Sequence, residues 1–180
     1  MYRKHGNLFI AALLCLIALP AFADYDRKNW KHWIDADGDC QNTRHEILIR
    51  DSLVPVQLSE NGCTVISGVW VGQYTGEVFT MAKQLDADHI VPLKWAYEHG
   101  GAGWSKAMKQ AFANDPENLL PVKASANRQK GAKGPDEWMP PLNQCEYLRQ
   151  WRSIVNRYGL EYYNYSASNP EKNCDQMTET

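Results

Sequence analysis

The triplet Ala21-Phe22-Ala23, closing an apolar run, decides what the rest of this chain can be. Arg3 and Lys4 give a short basic start, Leu8 to Leu19 an apolar stretch, and the A-x-A triplet a cleavage signal, in the order a secretory signal peptide requires. The apolar stretch falls short of the roughly 20 residues that a permanent membrane helix needs. Residues 1–23 therefore read as a signal removed on export, and residues 24–180 as one folded domain in the periplasm or outside the cell. That length holds one domain with a real core and is too short for two ordinary ones.

Export sets the redox setting, and the cysteines agree with it. Cys15 leaves with the signal, so an even set remains: Cys40, Cys63, Cys145 and Cys174. In an oxidising compartment these form two disulfides; four cysteines allow three pairings, and closeness in the chain favours Cys40–Cys63 and Cys145–Cys174. No C-x2-C pair or nearby Cys/His group supports the competing zinc reading. Hydrophobic residues make up 44% of the chain and seven are Trp, which excludes a disordered protein. No second stretch is apolar enough to span a membrane.

Periodicity gives a mixed order of elements. Thr43 to Val54 is amphipathic, with Ile47, Leu48 and Leu53 on one helical face. Cys63 to Trp70 and Tyr74 to Thr80 are rich in β-branched and aromatic residues and read as a hairpin around Val71-Gly72-Gln73. Gln84 to Pro92 holds a short strand limited by its proline. Trp95 to Asn114 reads as helix interrupted at Gly100-Gly101-Ala102-Gly103. Asn118 to Val122 is another short strand, and Ser125 caps a helix to Lys130. Pro135 to Pro141 is a turn, and Leu142 to Tyr158 a helix. Trp95, Trp104, Trp138 and Trp151 have apolar neighbours and read as core or turn anchors rather than base-stacking platforms. The fold class expected is α+β.

Three fragments stand out by their order: Asp86-Ala87-Asp88-His89-Ile90-Val91-Pro92, then Asn118-Leu119-Leu120, then Asn127-Arg128-Gln129-Lys130-Gly131. Each is weak alone, since an Asp-His pair is more often a hydrogen-bonded surface or core pair. Together, D-H-I-V-P, N-L-L and N-R-x-K resemble the HNH endonuclease superfamily. Asp37 to Arg44 (DGDCQNTR), Phe112 to Pro116 (FANDP) and Lys133 to Pro141 (KGPDEWMPP) extend the resemblance to the secreted bacterial HNH nucleases. Asn127 stands where many HNH proteins have histidine, an H-N-N variant.

The resemblance implies a ββα-metal core of two short strands and a helix around one divalent cation, here with additional helices, a β-hairpin and disulfides. It implies His89 as the general base, since imidazole titrates near neutral pH. Asn118 on the facing strand is expected to hold the His89 ring, and Asp88 and Asn127 to bind the metal. Two oxygen ligands with retained waters suit Mg²⁺, with Mn²⁺ as a substitute. On a strand, Asp88 and His89 point to opposite faces, so both serve one site only if the strand ends or distorts there. Arg128, Lys130 and Arg44 are candidates for phosphate contacts, with ordinary surface or structural pairing as the alternative.

The function this implies is an exported, metal-dependent hydrolase of DNA phosphodiester bonds with little sequence preference, acting as a monomer, with RNA as a further substrate left open. Two alternatives remain: a non-catalytic exported nucleic-acid-binding protein on the same scaffold, and a phosphodiesterase of small nucleotides. The acidic balance, 21 Asp and Glu against 19 Lys and Arg, argues against strong nucleic-acid affinity. Against that, residues 123–133 carry four basic residues and no acid, which suggests a local basic surface. Asp35, Asp37, Asp39, Thr43 and Glu46 fit positions 1, 3, 5, 9 and 12 of a calcium loop, but Cys40 stands where an EF-hand has glycine. Asn164-Tyr165-Ser166 fits a glycosylation triplet to which no role is assigned.

Overall fold

The computed structural model describes residues 24–161 and Cys174. The signal-peptide reading of 1–23 and the Asn164 triplet lie outside these residues. What is described is a mixed α+β fold with two small antiparallel sheets. The two disulfides are Cys40–Cys63 and Cys145–Cys174, the pairing that closeness in the chain favours.

Helix α1 (Thr43–Asp51) starts one residue after its cap: the Asn42 side chain accepts from the backbone N–H groups of Arg44 and His45. Ile47 and Leu48 are buried. The helix stops at Asp51, so Leu53 lies beyond it and is 68% exposed, against the expected helical face. Strands β1 (Gln57–Leu58), β2 (Val65–Val71) and β3 (Val78–Met81) form the first sheet in that order. The β2–β3 pair is the expected hairpin, with a longer turn: Gly76 adopts φ +71°, where a side chain is strained, and its N–H and that of Thr75 bond to Gly72. Under this sheet, Leu48, Val65, Trp70, Phe79 and Leu85 form a small core, and the Trp70 indole donates to the Leu48 carbonyl at 2.8 Å.

The second sheet pairs β4 (Leu85–His89) with β5 (Leu119–Lys123), antiparallel from Leu85↔Lys123 to His89↔Leu119. Between them run α2 (Leu93–Glu98), a glycine turn, and α3 (Lys106–Ala113), matching the expected interrupted helix. Helix α4 (Ala124–Lys130) follows β5 directly, with Lys123 at its N-cap; Ser125 lies inside the helix and does not cap it. Helix α5 (Gln144–Tyr158) presents Tyr147, Leu148, Trp151, Ile154 and Val155 inward, and Cys145 ties its first turn to Cys174. The larger core gathers Trp30, Tyr74, Ile90, Trp95, Phe112 and Trp151, with Trp104 and Trp138 packed on its edge. All four tryptophans expected as anchors therefore serve as anchors. Strand β4, strand β5 and helix α4 pack together as a strand–strand–helix unit, and the candidate site lies at the end of β4.

Candidate active site at the end of strand β4

Alternation along β4 would send Asp88 and His89 to opposite faces. The strand ends at His89, and a cleft of about 390 Å³ wraps that end, lined by Asp88, His89, Asn127 and Arg128. Four of the seven chemistry-bearing residues read from the sequence are thus brought together.

His89 is buried, with one ring nitrogen, Nε2, 2.9 Å from the Ala113 carbonyl oxygen. A carbonyl only accepts, so Nε2 carries the proton and Nδ1 is the nitrogen with a free pair. Burial drives the His89 pKa down to about 3, against the pull of the Ala113 hydrogen bond, and the nearby charges of Arg27 and Lys130 add to the fall. The imidazole is neutral at neutral pH. Trp33 stacks on the ring, with centroids 5.7 Å apart and planes 26° from parallel.

Asp88 is held by charge. Its Oδ2 accepts from the Tyr74 hydroxyl at 2.7 Å, and the Lys130 ammonium lies 3.1 Å from Oδ1 and 2.9 Å from Oδ2. Lys130 is completely buried and also donates to the His89 carbonyl at 2.7 Å. Burial pushes the Asp88 carboxyl up and the Lys130 amine down, and each opposes the other's shift by its charge. Lys130 therefore does not reach a flanking phosphate, as the sequence suggested; it is the internal partner of Asp88.

Arg44 and Asn118 also take other places than expected. The Arg44 guanidinium donates to the carbonyls of Ala82 and Leu85, 3.1 Å each, joining α1 to the start of β4; burial lowers its pKa. This is a structural arginine. Asn118, wholly buried, clamps the turn after β4: its Oδ1 accepts from the Val91 N–H at 2.8 Å and its Nδ2 donates to the Val91 carbonyl at 3.2 Å. The ring of His89 is held by Ala113, and Asn118 acts on the backbone behind it. Asn127 donates to Asp86 Oδ2 at 3.1 Å, tying α4 to β4 and leaving its amide oxygen as the atom able to bind a cation.

Of the basic residues in 123–133, one is buried and two are paired near the surface. Lys123 pairs with Glu77 at 2.7 Å, Lys130 is buried, and Lys133 donates to the Gln129 carbonyl. Arg128 remains at the cleft, joined by Arg27 and Lys94, which the sequence reading did not single out. Both lie far from Arg128 in the chain and carry no motif; only the fold puts them on one rim.

The carboxylates of Asp35, Asp37 and Asp39 lie within 4.8 Å of one another and are exposed. Asp35 accepts from the N–H groups of Gly38 and Cys40, and Asp39 from that of Gln41, so they cap their own loop. Cys40 takes φ +70°, the left-handed conformation that glycine supplies at that place in a calcium loop.

Residues 53–179 match the family described as the C-terminal domain of GmrSD restriction endonucleases. That span is more than half of the chain, and the protein belongs to this nuclease family. It is also similar to an uncharacterized secreted protein of the fungus Arthroderma benhamiae, 40% identical over 140 residues, which cover 76% of this chain and 67% of that protein. No solved structure matches. No helix among the described residues is long and apolar enough to cross a membrane.

Proposed function

We propose that this protein is an exported endonuclease of the HNH type, hydrolysing DNA phosphodiester bonds with little sequence preference. The observation that carries this reading is the state of His89: neutral by burial, with Nε2 committed to Ala113 and Nδ1 left as the base, in one cleft with Asp88 and Asn127. The strand–strand–helix unit of β4, β5 and α4 supports the ββα reading.

A carboxylate has about four lone-pair sites, and the hydrogen bonds from Tyr74 to Oδ2 and from Lys130 to Oδ1 use one on each oxygen of Asp88. Each oxygen keeps a free site that could meet a cation, and the amide oxygen of Asn127 would be the second protein ligand. One carboxylate and one amide suit Mg²⁺, which retains most of its waters, with Mn²⁺ as a substitute. Such a cation, when bound, stabilises negative charge on the phosphate and on the leaving 3′ oxygen.

The chain's own residues do the remaining work. His89 Nδ1 takes the proton of the attacking water. The Ala113 carbonyl keeps the ring in the tautomer that makes this possible, and Asn118 fixes the turn behind it. Lys130 and Tyr74 hold the Asp88 carboxylate in place. Arg27, Lys94 and Arg128 offer positive charge to flanking phosphates, the sequence-independent part of nucleic-acid binding.

Incubating oxidised protein with supercoiled plasmid, in Mg²⁺ or in EDTA, tests the reading. Nicking and linearisation with Mg²⁺, leaving 5′-phosphate ends, and none in EDTA are expected. Plasmid that is bound but left intact with every divalent cation would favour the non-catalytic scaffold. Cleavage of mononucleotide diesters in preference to plasmid would favour the small-nucleotide phosphodiesterase.

A further inference from the structure

Trp33 lies in the segment ahead of the family match, which begins at residue 53, yet its indole covers the ring of His89. It is half-buried and stands apart from the two hydrophobic cores. Its φ of +57° is an outlier for a bulky residue, a conformation that persists only when the surroundings impose it.

Asn114 imposes it. The side chain donates to the Lys31 carbonyl at 2.8 Å and accepts from the Ile34 N–H at 3.2 Å, gripping the chain on both sides of His32 and Trp33. Its remaining bonds, to the Gln110 carbonyl and from the Thr43 hydroxyl, anchor it to α3 and α1. Thr43 reinforces the grip by donating its N–H to the Ile34 carbonyl, and its single hydroxyl proton is shared between that carbonyl and Asn114 Oδ1. The residue before Asn114 is Ala113, whose carbonyl holds His89 Nε2. Two consecutive residues at the end of α3 thus fix both the ring and the turn that covers it. This gives the Phe112-Ala113-Asn114 segment a task that its sequence alone does not reveal.

Resting on the nuclease reading above, we propose that Trp33 is a positioning residue for the reaction: its indole, set by Asn114, locks the plane of the His89 ring against the Ala113 carbonyl. The segment before the family domain is then a working part of the active site. An offset stack at this separation restrains ring rotation, which a single hydrogen bond to Nε2 leaves free. Catalysis by a general base depends steeply on such alignment.

Steady-state cleavage of a double-stranded oligonucleotide by Trp33→Ala, Trp33→Phe, Trp33→Leu and His89→Ala tests the proposal, with melting curves to confirm folding. Trp33→Ala should lower kcat on the order of 100-fold and leave KM within about twofold, because the indole acts on the base and not on bound substrate. Trp33→Phe should recover most of the rate, and Trp33→Leu, of similar apolar character without a ring, should not. The imidazole N–H resonance of His89 should stay sharp with Phe and broaden with Leu. If Trp33→Ala does not fold, the Phe and Leu pair decides alone. Equal kcat for Phe and Leu, or a change confined to KM, would overturn the proposal. If His89→Ala is inactive while Trp33→Ala matches wild type, this inference alone fails; if His89→Ala keeps full kcat, the nuclease reading fails and takes it along.

Discussion

Asp88 and His89 are neighbours in sequence at the end of one strand, and the protein holds them by opposite means. Asp88 sits in a buried polar network, with the Tyr74 hydroxyl and the Lys130 ammonium on its oxygens. His89 sits between one backbone carbonyl and an indole face, with burial as the main influence on its protonation. Asp88's partners come from the span matched by the family, whereas His89 takes Trp33 from outside it. A ligand for a cation has to keep its charge while desolvated, so it needs a counter-charge. A base has to stay unprotonated, so it needs apolar cover and a single bond that chooses its tautomer.

Breaking the Asp88 side should have the larger effect on stability. Lys130→Met leaves a buried carboxylate without its counter-charge and should cost about 3–5 kcal/mol in chemical denaturation, as for other broken buried pairs. Removing both charges, in Asp88→Leu with Lys130→Met, should cost less than the sum of the single changes. Additive losses would show that the two side chains do not support each other.

The His89 side should appear in the pH dependence, with a smaller effect. The unfolded histidine titrates near 6.5 and the native one near 3. Below pH 6.5 the unfolded chain therefore binds a proton that native His89 refuses, so this residue's contribution is intact above 6.5 and erodes as pH falls toward 3. His45, lowered mainly by burial, acts in the same sense, and the raised carboxyl of Asp88 in the opposite one. In His89→Gln, whose amide can still donate to Ala113, melting temperature should fall less between pH 7 and pH 4 than in wild type. Identical slopes would contradict the burial argument.

The contrast also explains what could be read from the chain. Asp88, His89 and Asn127 come from short motifs in a fixed order, and local propensity marked β4, β5 and α4 well enough to place them. For Lys130 and Arg44 the sequence leaves phosphate contact and ordinary surface or structural pairing equally open, because a basic residue near a motif looks alike whether it faces solvent or a buried partner. Only packing decides between the two, and both turned inward. The resemblance places Asn118 against the ring of His89, but its actual bonds depend on how the turn at Val91 closes, which no pattern in the sequence encodes. The cover from Trp33 was invisible for a related reason: it joins residues 56 positions apart through the side chain of Asn114. The helix boundary at Asp51 and the cap of α4 failed at the usual place, where a single hydrogen bond moves an element's end.

In the proposed division of labour, His89 handles the proton and Asp88 with Asn127 handles the cation. Single-turnover plasmid cleavage across a Mg²⁺ titration, for wild type, His89→Ala and Asn127→Ala, measures that division directly. The account predicts that His89→Ala stays slow at every Mg²⁺ concentration, by about 10² to 10⁴-fold, the usual worth of a positioned base. Asn127→Ala should instead need more Mg²⁺ and recover rate as it is supplied. A His89→Ala rate equal to wild type, or an Asn127→Ala curve superimposed on it, would contradict the account.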